Sequence, residues 1–342
     1  MNYTFKNTEI NNKKATDFET KSLLYLIGKR KDSKEVEYIA FDCFNDVSGI
    51  NKKSDKIWDI QSKNEKNLNP KKIGKYFFTL FDNFTSTFDF KEFIFFCPVL
   101  KSEYKIDDKL NTYGIENIED KTLTRIKNGL NKEVIRVKGT SINYNKEQEE
   151  FLEKVIIVED TELDNEYIKT VTKFKKTEIK TDAFYQSVFQ DLRDIQSSKK
   201  NSYIENEIIT NIKDVLKFNR HLFSKDVETL IISRIIGCEV FEYKSIPFYF
   251  YPLISGQDVE DVKDTVQECN SNLSRAFFNK NSNREFWKIC EVIIEFIEKN
   301  TITDVEQIFQ TIFNNYKPRI SYLTSITIKY LIAITIEGKQ WL

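Results

Sequence analysis

The chain has 342 residues, 40% hydrophobic and 31% charged, and its 52 Lys+Arg nearly cancel its 53 Asp+Glu. That mixture can bury a core, which excludes global disorder, and the balance excludes a chain-wide polybasic surface, so any nucleic-acid partner must be met by a local patch. A single histidine and five cysteines without CxxC spacing argue against a His-rich metal site, a zinc module and a disulfide framework, and they leave any chemistry to carboxylates and lysines.

In chain order, the opening MNYTFKNTEINNKK has no apolar secretory core, and no run approaches the roughly 18 apolar residues of a membrane span, so a cytoplasmic protein with reduced thiols is expected. Residues 16–28 read as a helix. Thr16 and Glu19 have the spacing of a capping box, the body LLYLI is apolar, and Gly28 suits a C-terminal cap. Residues 35–47 (EVEYIAFDCFNDV) read as a strand, 49–55 (GINKKSD) as a turn and 56–63 (KIWDIQSK) as a second strand, together a hairpin. Asn69-Pro70 opens a helix, with Asn as N-cap and Pro at the first helical position. Ile73, Phe77, Leu80, Phe81 and Phe84 then follow as one apolar stripe. FKEFIFFCPVL, residues 90–100, reads as a strand buried on both faces, as parallel strands in layered sheets are.

Residues 101–146 are polar and carry no firm assignment. Residues 151–158 (FLEKVIIV) read as one more strand. From about 164 the pattern is helical: 164–174, 181–198, 203–218, 225–236, 258–278, 284–299, 303–316 and 319–335. An α/β domain over 1–160 and a mainly α-helical domain over 161–342 are therefore expected. His221, within KFNRHLF, reads as a surface or packing residue of a helix, and IPFYFYPLI (246–254) as a buried connector or subunit contact.

The residues that point to chemistry lie in FDCFNDVSGINKKSDKIWDIQSK. Residues of equal parity share one face of a strand, so Asp42 and Asp46 fall together, as do Asp59, Gln61 and Lys63. A hairpin can bring the two sets to one point. Phosphodiester cleavage needs a divalent ion to polarise the phosphate and generate the nucleophile, and Mg²⁺ needs only one or two carboxylates and a carbonyl besides its waters. Asp46 would be the main ligand. Gln61 through its amide oxygen, or the Ser62 backbone, would complete the set, and Lys63 would orient water or stabilise developing charge. Asp42 and Asp59 are each either a further ligand or an outward polar residue. The bland alternative for Asp46 and Gln61-Ser62-Lys63 is a hairpin with polar ends. Lys52, Lys53, Lys56, Lys66, Lys71, Lys72 and Lys75 form a basic set around the segment that either grips phosphates or is a solvated face. The helix start at Pro70, beside Lys71 and Lys72, adds outward backbone N–H groups.

Asp46 followed by Gln61-Ser62-Lys63 resembles the D…QxK form of the PD-(D/E)xK nuclease motif, and the order helix, hairpin, helix, buried strand matches that restriction-endonuclease-like core. More narrowly, residues 16–100, with FNDVSG, WDIQSK and NLNPKKIGKYFFTLFDNF, resemble the amino-terminal endonuclease domain of bacterial antiphage effectors found in CBASS and Lamassu systems. FLEKVIIVEDTE followed by helices fits the same group, while the C-terminal half resembles nothing nameable. The resemblance implies Mg²⁺- or Mn²⁺-dependent cleavage of double-stranded DNA. It places the metal carboxylate on Asp46, the QxK pair on Gln61 and Lys63, and the acidic residue of the first helix on Glu19, which its capping position already explains better. Gln in place of the commoner acidic residue shifts the burden to Asp46, with Asp42 or Asp59. By analogy the helical half would serve homo-oligomerisation and docking to a sensor subunit, an ATPase of the structural-maintenance type. The alternative is a catalytically inactive nuclease-like module that binds DNA or protein.

Overall fold

The computed structural model describes residues 2–6, 13–176, 178–200, 203–314, 317 and 319–340. The strands are β1 (Tyr3–Thr4), β2 (Val36–Phe41), β3 (Val47–Asn51), β4 (Ile57–Ser62), β5 (Glu92–Pro98), β6 (Thr112–Tyr113), β7 (Val155–Asp160), β8 (Ile208–Ile209) and β9 (His221–Phe223). The helices are α1 (Lys13–Leu24), α2 (Pro70–Phe84), α3 (Asp120–Lys138), α4 (Asn145–Leu152), α5 (Asp164–Val171), α6 (Asp182–Lys199), α7 (Ser224–Ile236), α8 (Tyr251–Ile254), α9 (Val259–Phe278), α10 (Asn283–Lys299), α11 (Val305–Ile312) and α12 (Ser325–Lys339).

Two compact units result. One takes Met1–Tyr167 and Phe189–Ser224, the other Ile168–Val188 and Lys225–Leu342. A single division at residue 160 therefore does not describe the chain, because residues 189–224 return to the first unit. The return is built on strand pairing between residues far apart in sequence: β8 pairs with β1, and β9 adds antiparallel to β2.

The first unit is a mixed α/β structure around a seven-stranded sheet of order β6-β7-β5-β4-β3-β2-β9. β2, β3 and β4 form an antiparallel meander, and β4, β5 and β7 run parallel. The hydrophobic run at β5 is buried on both faces, as its composition requires. On one face Phe95 meets Phe77 of α2, with ring centroids 5.2 Å apart, and on the other Phe96 meets Phe18 of α1 at 4.9 Å. α2 begins where Asn69-Pro70 predicts, the Asn69 side chain accepting from the Lys72 backbone N–H, and it buries Ile73, Phe77, Leu80 and Phe81.

Several expected elements differ. The strand expected over 35–47 ends at Phe41, and a loop at Asp42–Asp46 turns the chain into β3, where a turn was expected. VSGIN reads as a turn because of its Gly, Ser and Asn, yet its first four residues are buried in the meander. The true turn is residues 52–56, with Ser54 in the left-handed region at φ 56°. α1 runs through Thr16, whose carbonyl accepts from the Thr20 hydroxyl, so Thr16 and Glu19 are not a helix start. Gly28 lies inside a π-helical turn, Tyr25–Lys29, that closes at Arg30. The unassigned stretch 101–146 holds α3. The strand expected at Phe151 begins at Val155, after α4 has ended. Residues 203–218, expected to be helical, form β8 and a 3₁₀ segment, Ile212–Phe218, opened by an Asn211–Asp214 capping box.

The second unit is helical. α12 is apolar nearly all round and buries Ile328, Leu331, Ile332, Ile334 and Ile336, as a central helix must. Within IPFYFYPLI, Phe250 and Ile254 are buried, whereas Phe248 and Tyr251 are exposed. All five cysteines are free thiols. No helix among the described residues is long and apolar enough to cross a membrane.

α2 and α3 approach so closely that a Cβ on Gly74 would lie 2.0 Å from the Ile126 carbonyl oxygen, and one on Gly129 2.3 Å from that of Lys71. Gly→Ala on an open helix surface stabilises by up to about 1 kcal/mol. Here Gly74→Ala should instead destabilise by about 1–3 kcal/mol, since backbone has to move. Urea unfolding of the variant gives the sign directly.

Candidate active site

The register Val47↔Ile60 and Ser48↔Asp59 sets Asp46, just before β3, across from Gln61 near the end of β4. One carboxylate oxygen of Asp46, Oδ2, accepts from Gln61 Nε2 at 2.5 Å, from the Ser62 backbone N–H at 2.7 Å and from the Ser62 hydroxyl at 3.0 Å. Lys63 Nζ stands 3.9 Å from the same oxygen and lies over the Tyr76 ring of α2. The structure thus brings Asp46, Gln61 and Lys63 together. It does so by the β3–β4 pairing rather than by the hairpin expected from 35–47. The Gln61 amide oxygen faces away from Asp46 and accepts from the Thr79 hydroxyl of α2 at 2.5 Å. Gln61 as an oxygen ligand therefore needs correcting: in this arrangement it is a donor that fixes the Asp46 carboxylate.

Two further carboxylates reach the same corner. Asp42 sits in the left-handed region at φ 50° where the chain leaves β2, and Glu19 comes from α1. Asp42 and Asp46 share this point through a loop, not through one strand face. One oxygen from each of Glu19, Asp42 and Asp46 lies within 4.8 Å of the others. That span is about twice the roughly 2.1–2.5 Å metal–oxygen distance of Mg²⁺ or Ca²⁺, and an all-carboxylate donor set suits a hard cation.

The cluster has its own cations, which the sequence did not indicate. Lys200, one residue beyond α6, pairs with Glu19 Oε2 and lies 3.2 Å from Asp42. Arg220, just before β9, places Nη1 3.6 Å from Asp42. Gln196 donates to Glu19 at 3.3 Å. Lys200 is about 158 positions from Asp42, inside an unremarkable polar run, SSKKN; nothing local marks it. Burial pushes the Glu19 carboxyl up to about 7 even with Lys200 pulling the other way, and Asp46 and Asp42 add to the rise. Burial also raises Asp42. For Lys200, burial favours the neutral amine, but attraction to Glu19 and Asp42 outweighs it and holds the ammonium. Burial and like-charge crowding thus compete with two buried cations in one corner.

Asp59 is fully buried rather than exposed and stands apart from this cluster. Its carboxylate accepts from Asn45 at 2.5 Å, Asn83 at 2.8 Å and Ser48 at 3.1 Å. It ties the Asp42–Asp46 loop and α2 to β4, which is structural work.

The basic set divides. Lys52 and Lys53 lie in the β3–β4 turn, and the five residues of β3, at roughly 3.3 Å each, put that turn about 16 Å from Asp46. Lys56 pairs with Glu35 at that far end. A phosphate at the carboxylates does not reach them. Lys66 and Lys72 are exposed on the loop and helix that follow β4, and Lys72 pairs with Glu65. Lys72, Tyr76 and Thr79 share the α2 face that meets Lys63 and Gln61. Lys71 and Lys75 are exposed on the neighbouring strip, whose backbone meets α3. His221 lies on an edge strand, not a helix, with its ring against Tyr38 and Phe223. Compared with protein-family models, with curated proteins and with solved structures, the chain matches none.

Burial pushes the Asp59 carboxyl up to about 7, its three hydrogen-bond donors notwithstanding. The unfolded value is about 3.9, so this group's contribution to stability is complete below about pH 4 and is lost as pH rises through about 7. The stability of wild type relative to Asp59→Asn, which stays neutral, should therefore fall by roughly 2–3 kcal/mol between pH 5 and pH 8. Denaturant unfolding at the two pH values checks this.

Proposed function

We propose that the first unit is a metal-dependent endonuclease of the PD-(D/E)xK type in its QxK form, acting on double-stranded DNA. The observation that carries the reading is the convergence of Glu19, Asp42 and Asp46 with Gln61 and Lys63 at one end of the sheet. The element order supports it: a helix, antiparallel strands, a helix packed on the sheet, and a parallel strand buried on both faces.

In this reading Asp46, Asp42 and Glu19 hold Mg²⁺ or Mn²⁺. The ion, when bound, polarises the scissile phosphate and makes a water nucleophilic at neutral pH. Gln61 and the Ser62 N–H fix the Asp46 carboxylate so that its orientation does not depend on the ion. Lys63, an ammonium 3.9 Å from Asp46, is placed to orient the water or to meet charge developing on the phosphate. Lys66 and Lys72 flank the approach from α2 and would contact the DNA backbone.

The resemblance of residues 16–100 to effector nucleases extends the proposal to antiphage defence. Activity would then be switched on by assembly with a sensor or ATPase subunit and with further copies of this chain. One observation favours the other reading, an inactive nuclease-like binding module: the Lys200 ammonium already sits among the carboxylates.

Incubation of the purified protein with plasmid DNA in Mg²⁺, Mn²⁺ or EDTA tests the chemistry. Cleavage should require metal and fall at least about 100-fold in Asp46→Ala and in Lys63→Ala, with unchanged circular dichroism. Equal cutting by both variants would discard the site.

The divided lysine set gives a second test. Reversing Lys66 and Lys72 to Glu should weaken DNA binding and lower the slope of log K against log salt by about 2. Reversing Lys52 and Lys53 should leave the slope unchanged, as fluorescence anisotropy at several salt concentrations would show.

A further inference from the structure

Lys200 is delivered to the acidic corner by a tightly determined path. α6 lies along α1, where Thr20 donates to Gln196 at 2.8 Å and Arg193 pairs with Asp17 at 3.3 Å. The helix ends at Lys199, and Lys200 follows with its backbone N–H still bonded to the Ser197 carbonyl. From the other side Arg220 Nη2 donates to the Lys200 carbonyl oxygen at 2.9 Å, and the Arg220 carbonyl accepts from the Phe41 N–H. The Lys200 side chain is only 5% exposed, and its ammonium lies against Glu19 and Asp42.

An ammonium and a divalent ion compete for such oxygens. The ammonium through its three N–H donors and the ion through coordination each draw on several carboxylate oxygens, and two like charges near 4 Å apart in a buried site repel strongly. We infer that Lys200 is a built-in cation that holds the metal-free carboxylate cluster together and is displaced from Glu19 and Asp42 when a divalent ion enters. Arg220 is the positioning residue that aims it. The inference rests on the metal-site reading above. It couples the metal site to the end of α6 and to Arg220: whatever moves Lys200 changes the affinity for the ion.

The test is Mn²⁺ binding by calorimetry to the full chain, wild type against Lys200→Met, which keeps the apolar stem. Tightening by about tenfold or more is expected for the variant. Equal or weaker binding in a folded variant would overturn the inference and leave the metal site standing. No binding to either protein would overturn the metal site and the inference with it. A measurement on wild type alone keeps the idea open to refutation if the variant does not fold. Amine acylation read by mass spectrometry should be slow at Lys200 without Mn²⁺ and at least several-fold faster with it. Bound Mn²⁺ without any change in Lys200 labelling would also overturn the displacement.

Discussion

Crowding three carboxylates into one buried corner is the constraint on which the rest of the first unit depends. Glu19 is buried and Asp42 and Asp46 are partly so, and each repels the other two, so the corner exists only because something compensates. Asp46 is compensated by hydrogen bonds from Gln61 and Ser62. Asp42 and Glu19 are compensated by charge, from Lys200 and Arg220. Among the described residues, removing Lys200 would leave Glu19 with only the Gln196 amide and Asp42 with only Arg220, so the loss of one cation costs more than the ion pairs are worth as contributions to stability.

The compensation explains the topology. The sheet alone would be complete at β2, with that edge open. Instead the chain comes back after α6, adds β9 to the edge and β8 to β1, and in doing so inserts Lys200 and Arg220 beside Asp42. Edge protection and charge compensation are met by one excursion of the chain. The left-handed Asp42 and the hydrogen-bonded Asp59 serve the same corner. The first allows the sharp exit from β2, and the second anchors the loop through Asn45 and the strand through Ser48.

Local physics was legible from the residues alone. The Asn69-Pro70 helix start, the α2 stripe, the doubly buried β5 and the helices α9 and α10 follow from capping, periodicity and apolar run length, all of which act over a few residues; the last helix, expected over 319–335, instead runs Ser325–Lys339. So did the partnership of Asp46, Gln61 and Lys63, because polar residues at the ends of apolar strands stand out. Where the reading failed, a local signal was overridden. Gly49 and Ser48 belong to a buried strand because β2 and β4 pair with it from both sides, and Glu19 resembles a capping residue until α1 is seen to continue through it.

The sequence by itself determined the class of architecture, an α/β unit with a helical remainder, and, through its single histidine and scattered cysteines, left any chemistry to carboxylates and lysines. The tertiary structure alone decided that Lys52 and Lys53 lie at the far end of the meander, that Gln61 donates rather than ligates, and that Lys200 and Arg220 complete the corner. The physical reason is range. Propensity and periodicity are carried by neighbours along the chain, whereas strand register and buried charge pairing join residues that no local pattern links.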